Sequence, residues 1–126
     1  MPFPGCEIEE RADGSRGFQL ADPVLTFIRI DGQARLQFGE AELWMEQPFV
    51  LRMAGQQHAL DPADRGRLGP LLELWPDTLV SAEMTPSGTL FVTFESGASI
   101  EAPPHDLYES WHLGGFDCVP GGFGPS

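Results

Sequence analysis

The 126-residue sequence predicts an α+β fold, mostly an antiparallel twisted β-sheet of about six to seven strands with one short, broken helix packed on it. Three observations predict this class, which combines hairpins with a C-terminal meander. Apolar and polar residues alternate over residues 78–102, as in strands with one buried face. The dipeptide Asp31-Gly32 separates two β-rich runs, as in a hairpin. A Leu-rich segment at 68–75 has helical spacing, interrupted by glycine and proline.

The stretch 78–102 predicts a three-stranded meander, because its apolar residues are even-numbered and most polar residues between them are odd-numbered. The intervening turns, 86–88 and 95–97, each contain three residues. An odd number keeps facing residues at the same parity, and each turn ends in the glycine that a type I turn with a bulge favours. The residues predicted to be buried are Val80, Ala82, Met84, Leu90, Val92, Phe94, Ala98, Ile100 and Ala102.

The first half of the chain predicts the other strands. Residues 24–30 and 34–38 flank Asp31-Gly32, and turns of two or three residues both fit. The two registers bury opposite faces, and the three-residue turn buries the even-numbered residues. The remaining predicted strands cover residues 41–46, 49–53 and 58–60.

A broken helix is predicted before the meander. Asp61 suits an N-cap, and Pro62 suits the first helical position. Pro70 divides the segment into a turn at 62–67 and a helical piece at 70–75. The stripe predicted to pack on the sheet consists of Leu68, Leu71, Leu72 and Trp75.

Residues 1–126 are predicted to form a single domain with two weakly structured ends. Residues 1–16 lack periodicity and are predicted to be loose. Residues 114–126 form a Gly-rich C-terminal tail with a high entropic cost of ordering. Cys6 and Cys118 are predicted to be reduced thiols, and a disulfide between them is the alternative.

The charge distribution indicates which partners to expect. The formal net charge is -12, and all seven basic residues are arginine, the last of them Arg67. Such a chain repels phosphate groups, so nucleic acid and anionic membranes are not expected as partners, whereas a basic protein is attracted. The alternative is that the acidity only maintains solubility. The N-terminus does not resemble a signal peptide, so the cytoplasm is the predicted location.

No catalytic residue, cofactor or metal site is predicted. The sequence contains no phosphate-binding glycine loop, no nucleophile elbow and no HExxH pair. His105, His112 and Cys118 offer metal-ligand atoms, but their spacing fits no zinc pattern.

The candidate partner-binding residues are acids and one aromatic residue. Tyr108 lies between Asp106 and Glu109, and aromatic groups bordered by carboxylates can dock an Arg- or Lys-rich surface. Glu83 and Glu101, on the polar face of the meander, complete this set.

Trp44 and His58 are the candidate ligand-groove residues. Trp44 is a large apolar group on the polar face of its strand. The concave face of a curved sheet around the helix could also hold a ligand cavity. The sequence therefore predicts a small acidic protein-binding module, in its most specific form an immunity-type neutraliser of a basic toxin enzyme, as a monomer or homodimer. The alternative is a small-molecule binder or an enzyme with a cryptic site.

Three short motifs resemble a known family: His58-Ala59-Leu60-Asp61-Pro62, Tyr108-Glu109-Ser110-Trp111 and Val119-Pro120-Gly121-Gly122. On these, the chain resembles small actinobacterial proteins of domain of unknown function 6188, over roughly residues 24–122. Members of the family continue after the last motif into another apolar strand, whereas this sequence departs from that pattern with Phe123-Gly124-Pro125-Ser126. The resemblance implies no activity and no catalytic residues.

Overall fold

The computed structural model describes residues 5–120 and 122–125. A 3₁₀ turn at Arg65–Arg67 and a short helix α1 at Gly69–Leu72 lie between the seventh and eighth strands. The strands are β1 (Cys6–Glu10), β2 (Arg16–Leu20), β3 (Phe27–Ile30), β4 (Ala34–Phe38), β5 (Ala41–Met45), β6 (Phe49–Met53), β7 (Gln56–Leu60), β8 (Leu79–Met84), β9 (Leu90–Phe94), β10 (Ser99–Ala102), β11 (Trp111–Leu113), β12 (Phe116–Val119) and β13 (Gly122–Pro125).

The strands form two antiparallel sheets. One has seven strands in the order β1-β2-β8-β9-β10-β6-β7, and the other has six in the order β13-β12-β11-β5-β4-β3. The prediction of a mostly antiparallel fold with a short helix is confirmed. The single predicted sheet is two sheets, and the predicted six to seven strands are too few for the described residues, because β1, β2, β11, β12 and β13 form in segments for which the sequence did not predict strands.

Side chains from both sheets share one hydrophobic core. Phe18 on β2 packs edge-on against Trp111 on β11, with ring centroids 6.1 Å apart. Phe38 on β4 stacks on Phe94 on β9 at 6.4 Å. The indole N–H of buried Trp111 donates to the Gly88 carbonyl at 2.9 Å, so its polar atom is satisfied inside the core.

Strands β8, β9 and β10 form the predicted meander with two three-residue turns. Every residue predicted to be buried there is buried except Val80, which is 64% exposed. A bulge between Leu79 and Ser81 shifts the pairing at the start of β8. The prediction for Val80 is therefore wrong, and Leu79 is buried instead.

The β3–β4 hairpin adopts the three-residue turn. Ile30 pairs with Ala34 and Ile28 pairs with Leu36, which leaves residues 31–33 in the turn. The even-numbered side chains of β4 face the core, and Ala34 and Leu36 are fully buried. Arg35 consequently lies on the outer face of the six-stranded sheet.

The helical segment packs on the core through a different stripe from the one predicted. Leu68, Leu71 and Leu74 are buried, whereas Leu72 and Trp75 are about half exposed. The amide of Leu71 bonds the Leu68 carbonyl, and the amide of Leu74 bonds the Leu71 carbonyl. This tighter 3₁₀ pattern turns every third residue toward the core. No helix in the described residues is long and apolar enough to cross a membrane.

Both ends of the chain contribute strands. β1 lies within residues 1–16, the segment predicted to be loose, and β12 and β13 lie within the predicted tail at 114–126. Gly114 and Gly115, with φ of 56° and 88°, form the tight turn between β11 and β12. These glycines therefore mark a hairpin. Residues 1–4, 121 and 126 of the two segments lie outside the described residues.

Candidate functional site

The candidate partner-binding residues lie in two separate groups. Glu83 and Glu101 flank Phe91 on neighbouring strands, on the outer face of the seven-stranded sheet. Each already has an internal cation: Arg11 lies 2.9 Å from Glu83, and Arg52 lies 3.0 Å from Glu101. These two carboxylates are therefore neutralised by arginines of the same chain.

Arg11 reaches Glu83 by crossing over Gly17. A Cβ at position 17 would lie 2.5 Å from Nη2 of Arg11, so a larger residue would displace the guanidinium. The guanidinium therefore lies directly over the backbone of Gly17. The hydrogen bond to Glu83 raises the pKa of Arg11.

Asp106, Tyr108 and Glu109 form the second group, in the loop that joins β10 to β11. Tyr108 is 59% exposed, and the neighbouring Leu107 is 71% exposed. Asp106 and Glu109 have no ion-pair or hydrogen-bond partner for their carboxylates among the described residues. This loop therefore presents, beside an exposed apolar surface, two carboxylates that no described cation neutralises.

Hydrogen bonds inside the loop hold it in place. The Ser110 hydroxyl donates to the Pro103 carbonyl and closes the base of the loop. Nδ1 of His105 accepts the backbone N–H groups of Leu107 at 3.0 Å and Tyr108 at 3.2 Å. The rings of His105 and Tyr108 lie 5.2 Å apart. These contacts orient the Tyr108 ring outward.

Tyr108 and Glu109 form one wall of an open groove of about 520 Å³. The opposite wall consists of the β3–β4 turn and the residues that follow β5. This groove, referred to below as the acidic groove, is lined by Asp31, Gln33, Glu46, Leu107, Tyr108 and Glu109, among others. Three carboxylates and two large exposed side chains therefore converge on one depression.

His112 lies beside this groove, between two carboxylates. Its side chain is only 4% exposed, with Nδ1 2.6 Å from Asp117 and Nε2 2.5 Å from Glu46. A neutral imidazole has one N–H, so it can donate to one of the two carboxylates. The second contact requires another proton, on the ring or on a carboxyl group, or another cation.

His112 belongs to a row of side chains that crosses four adjacent strands on the outer face of the six-stranded sheet. In strand order the row is Arg35, Trp44, His112 and Asp117. The Arg35 guanidinium lies 4.8 Å from the Trp44 ring centre. Trp44 stacks on His112 with centroids 4.4 Å apart and planes 22° apart. These contacts fix the orientation of the imidazole.

Arg35 also connects the row to the acidic groove. Its guanidinium donates to Asp31 at 3.1 Å and to Glu42 at 2.8 Å. Burial works to lower the pKa of Arg35, but these hydrogen bonds and charges raise it overall. Asp31 thus has an internal partner, whereas the structure describes none for Glu109.

Glu46, Glu109 and His112 are the one group of potential metal ligands found in the described part of the chain. Each offers one ligand atom, and these atoms lie within 4.8 Å of one another. The sequence does not reveal this group because Glu46 and His112 are 66 positions apart. The alternation of residues 41–46 does predict one part of this arrangement, because it places Glu46 on the same face of the strand as Trp44.

The fold does not bring together the metal-ligand group or the groove residues that were considered from the sequence alone. Cys118 is buried with its thiol directed at the Gly88 carbonyl, and His105 supports its own loop, so neither joins His112. Trp44 lies on β5 of the six-stranded sheet, whereas His58 lies on the edge strand β7 of the other. The structure therefore does not bring these two groove candidates together.

Comparison with known proteins identifies the family of the chain. No curated protein and no solved structure is significantly similar to it. The model of a family of unknown function matches residues 18–123. This range includes all the residues named above for the acidic groove and for the row beside it. The chain therefore belongs to the family of unknown function DUF6188.

Proposed function

We propose that this protein is a small acidic protein-binding module, and that the acidic groove docks a basic segment of a partner protein. The main support for this proposal comes from the loop that precedes β11. There Asp106 and Glu109, which have no cationic partner among residues 5–120 and 122–125, flank the exposed side chains of Leu107 and Tyr108. A cationic side chain can pair with such carboxylates while its stem or guanidinium packs on the aromatic ring.

The long-range electrostatics favour the same class of partner. The chain carries a net charge of -12 and has no lysine or arginine after Arg67. A field of this sign accelerates encounter with a basic protein by roughly 10- to 1000-fold at low salt. It is screened beyond about 8 Å at physiological ionic strength, so close contacts at the groove decide the final affinity.

The internal ion pairs indicate which of the candidate acids are available to a partner protein. Pairing Glu83 or Glu101 with a partner would first require displacing Arg11 or Arg52. For Glu109 no arginine of the described residues has to be displaced. We therefore place the docking surface at the acidic groove and not on the outer face of the meander.

The most specific form of this proposal is an immunity-type neutraliser of a basic toxin enzyme in the cytoplasm. An enzyme that acts on a polyanion presents a cationic surface, which an acidic groove complements. The buried free thiols Cys6 and Cys118 are compatible with a reducing compartment. Co-expression with the product of the adjacent gene tests this form. Relief of that product's toxicity supports it, and a lack of binding even at low salt contradicts it.

The docking surface is tested with point variants and an arginine-rich peptide. Glu109→Lys and Tyr108→Ala should each weaken binding about tenfold, which corresponds to about 1.4 kcal/mol, because they remove the ion pair or the stacking surface. Isothermal titration calorimetry at low and physiological salt measures the change, with a chelator present throughout.

The matched control is Glu73→Lys, which makes the same charge change at an exposed position that does not line the groove. It should weaken binding less than threefold, through the long-range field alone. Equal losses for Glu73→Lys and Glu109→Lys would show that only net charge matters and would contradict the assigned surface.

A small-molecule ligand is the second candidate, because the groove volume of about 520 Å³ lies within the range typical of ligand sites. In this case Tyr108 and Glu46 would contact the ligand, in place of the predicted pair Trp44 and His58. A thermal-shift screen tests the idea, since a ligand at 100 times its dissociation constant stabilises the native state by about 2.7 kcal/mol. A screen with no shift counts against it.

A further inference from the structure

The His112 ring lies between two carboxylates beside the acidic groove. Both ring nitrogens lie within 2.6 Å of a carboxylate oxygen, Nδ1 near Asp117 and Nε2 near Glu46. If the neutral ring donates its single N–H to Asp117, Nε2 presents a lone pair to a carboxylate. A cation shared by Nε2 and the Glu46 carboxylate satisfies this arrangement, whereas without a metal a second ring proton would be donated to Glu46.

The side of the ring that faces Asp117 has the arrangement found around metal-binding histidines. Such a histidine donates its second N–H to a carboxylate, which fixes the tautomer and the ring orientation. In addition, the ring of His112 is stacked on Trp44, which lies beneath Arg35. The buried imidazole is therefore held by two independent contacts with Nε2 directed at Glu46.

A third donor completes the set. Glu109 contributes a carboxylate oxygen within 4.8 Å of the ligand atoms of Glu46 and His112. Around a tetrahedral ion with bonds of about 2.0–2.1 Å, neighbouring ligand atoms lie about 3.3 Å apart. The Glu46–His112 contact would open by a little under 1 Å, and the exposed side chain of Glu109 would move inward. Both changes are within the reach of side-chain rotation.

We propose that Glu46, Glu109 and His112 bind a divalent transition-metal cation, with Asp117 as the residue that orients the imidazole. One imidazole nitrogen and two carboxylate oxygens form a borderline donor set that suits Zn²⁺ or Mn²⁺. Ca²⁺ and Mg²⁺ prefer oxygen donors alone. The buried histidine distinguishes this group from an ordinary patch of surface acids.

The cation would also link two elements of the fold. Glu46 directly follows β5, and Glu109 belongs to the exposed loop before β11. A shared ion would therefore fasten this loop, with Tyr108, to the six-stranded sheet. The inference does not depend on the proposed partner, although the metal and a basic side chain would compete for Glu109.

The site is tested by titrating chelator-treated protein with Zn²⁺ and with Mn²⁺, in the absence of any peptide. One equivalent should bind, and Glu46→Gln, Glu109→Gln and Asp117→Asn should each weaken binding about 10- to 100-fold. Asp106→Asn is the matched control, because it removes an exposed acid of the same loop that is not in the ligand group. It should change the affinity less than threefold.

Paramagnetic broadening by substoichiometric Mn²⁺ gives the location independently of affinity. The amide signals of Glu46, Glu109, His112 and Asp117 should broaden first. Thermal melts establish that each variant is folded. The variant His112→Asn removes the imidazole ligand and should also weaken metal binding. If this variant does not fold, the comparison of wild type with Glu109→Gln decides whether these residues bind the metal.

Three results would overturn the inference: no saturable binding, equal binding by wild type and Glu109→Gln, or binding of Ca²⁺ and Mg²⁺ as tight as that of Zn²⁺. The peptide titration is carried out with chelator and the metal titration without peptide. Failure of one proposal is therefore distinguishable from failure of the other.

Discussion

At the scale of single residues, the internal partners of a carboxylate decide whether it is available to another molecule. Glu83 and Glu109 are both exposed glutamates in the acidic second half of the chain. Glu83 is paired with Arg11, whereas Glu109 has no partner among the described residues. The sequence places both on polar positions but cannot separate them, because Arg11 and Glu83 are 72 positions apart.

The buried thiol of Cys6 gives a pH-dependent prediction at this scale. Burial raises its pKa from the ordinary 9.0 to about 11, and the charge of Glu7 adds to this effect. Between these values the unfolded chain has fewer bound protons than the native chain, so the free energy of unfolding falls as the pH rises. The thiol's contribution to the free energy of unfolding is constant below about pH 9. It falls by about 2–3 kcal/mol between pH 9 and pH 11.

Urea unfolding of wild type and Cys6→Ala at pH 8, 9, 10 and 11 measures this effect. The variant lacks the thiol, so its stability should fall less steeply above pH 9. Because all other titrating groups are common to both proteins, the difference between the two slopes isolates Cys6. Identical slopes would show that the thiol is not held in its neutral form.

At the scale of elements, strands were predictable wherever alternation and turn chemistry agreed. The meander satisfied both conditions, and its turns and its buried residues from Ala82 onward follow from parity. The bulge in β8 was not predictable, because the pattern of Val80 continues the even series. The β11–β12 hairpin carried a usable signal in Gly114-Gly115, but the high glycine content of the segment obscured it.

Because of the bulge, replacing two valines of the meander by alanine should lower the free energy of unfolding by different amounts. Val80→Ala should change the free energy of unfolding by less than about 0.5 kcal/mol, because the side chain is mostly exposed. Val92→Ala should cost about 2 kcal/mol, because Val92 is fully buried and its loss leaves a cavity. Urea unfolding at neutral pH compares them. Equal losses of stability would mean that Val80 is buried in the core and that β8 has no bulge.

At the scale of the whole molecule, the candidate site forms where three distant segments meet. The β3–β4 turn, the end of β5 and the loop before β11 supply its residues, and the two-sheet topology brings them together. Tyr108 and Glu109 were identifiable from composition, since an aromatic residue bordered by acids is a local pattern. The grouping of Glu46, Asp31 and His112 was not predictable, because their proximity depends on strand pairing; only the face of its strand on which Glu46 lies follows from the sequence.

The charge balance also acts at this scale. Internal arginines neutralise several acids of the first half of the chain and of the sheet faces. Within the part of the chain that the structure describes, no arginine pairs with the acids of the loop before β11, so unpaired negative charge lies beside exposed apolar side chains. This combination, and not the total of -12 alone, is the reason we propose the acidic groove as a docking surface.

The measurement that tests the docking claim most directly is chemical-shift mapping of the labelled protein during titration with an arginine-rich peptide, in the presence of chelator. We expect the largest shifts at Glu46, Leu107, Tyr108 and Glu109, with small shifts at Glu83 and Glu101. Shifts centred on Glu83, Phe91 and Glu101, or spread evenly over all exposed acids, would contradict the assignment of the acidic groove as the docking surface.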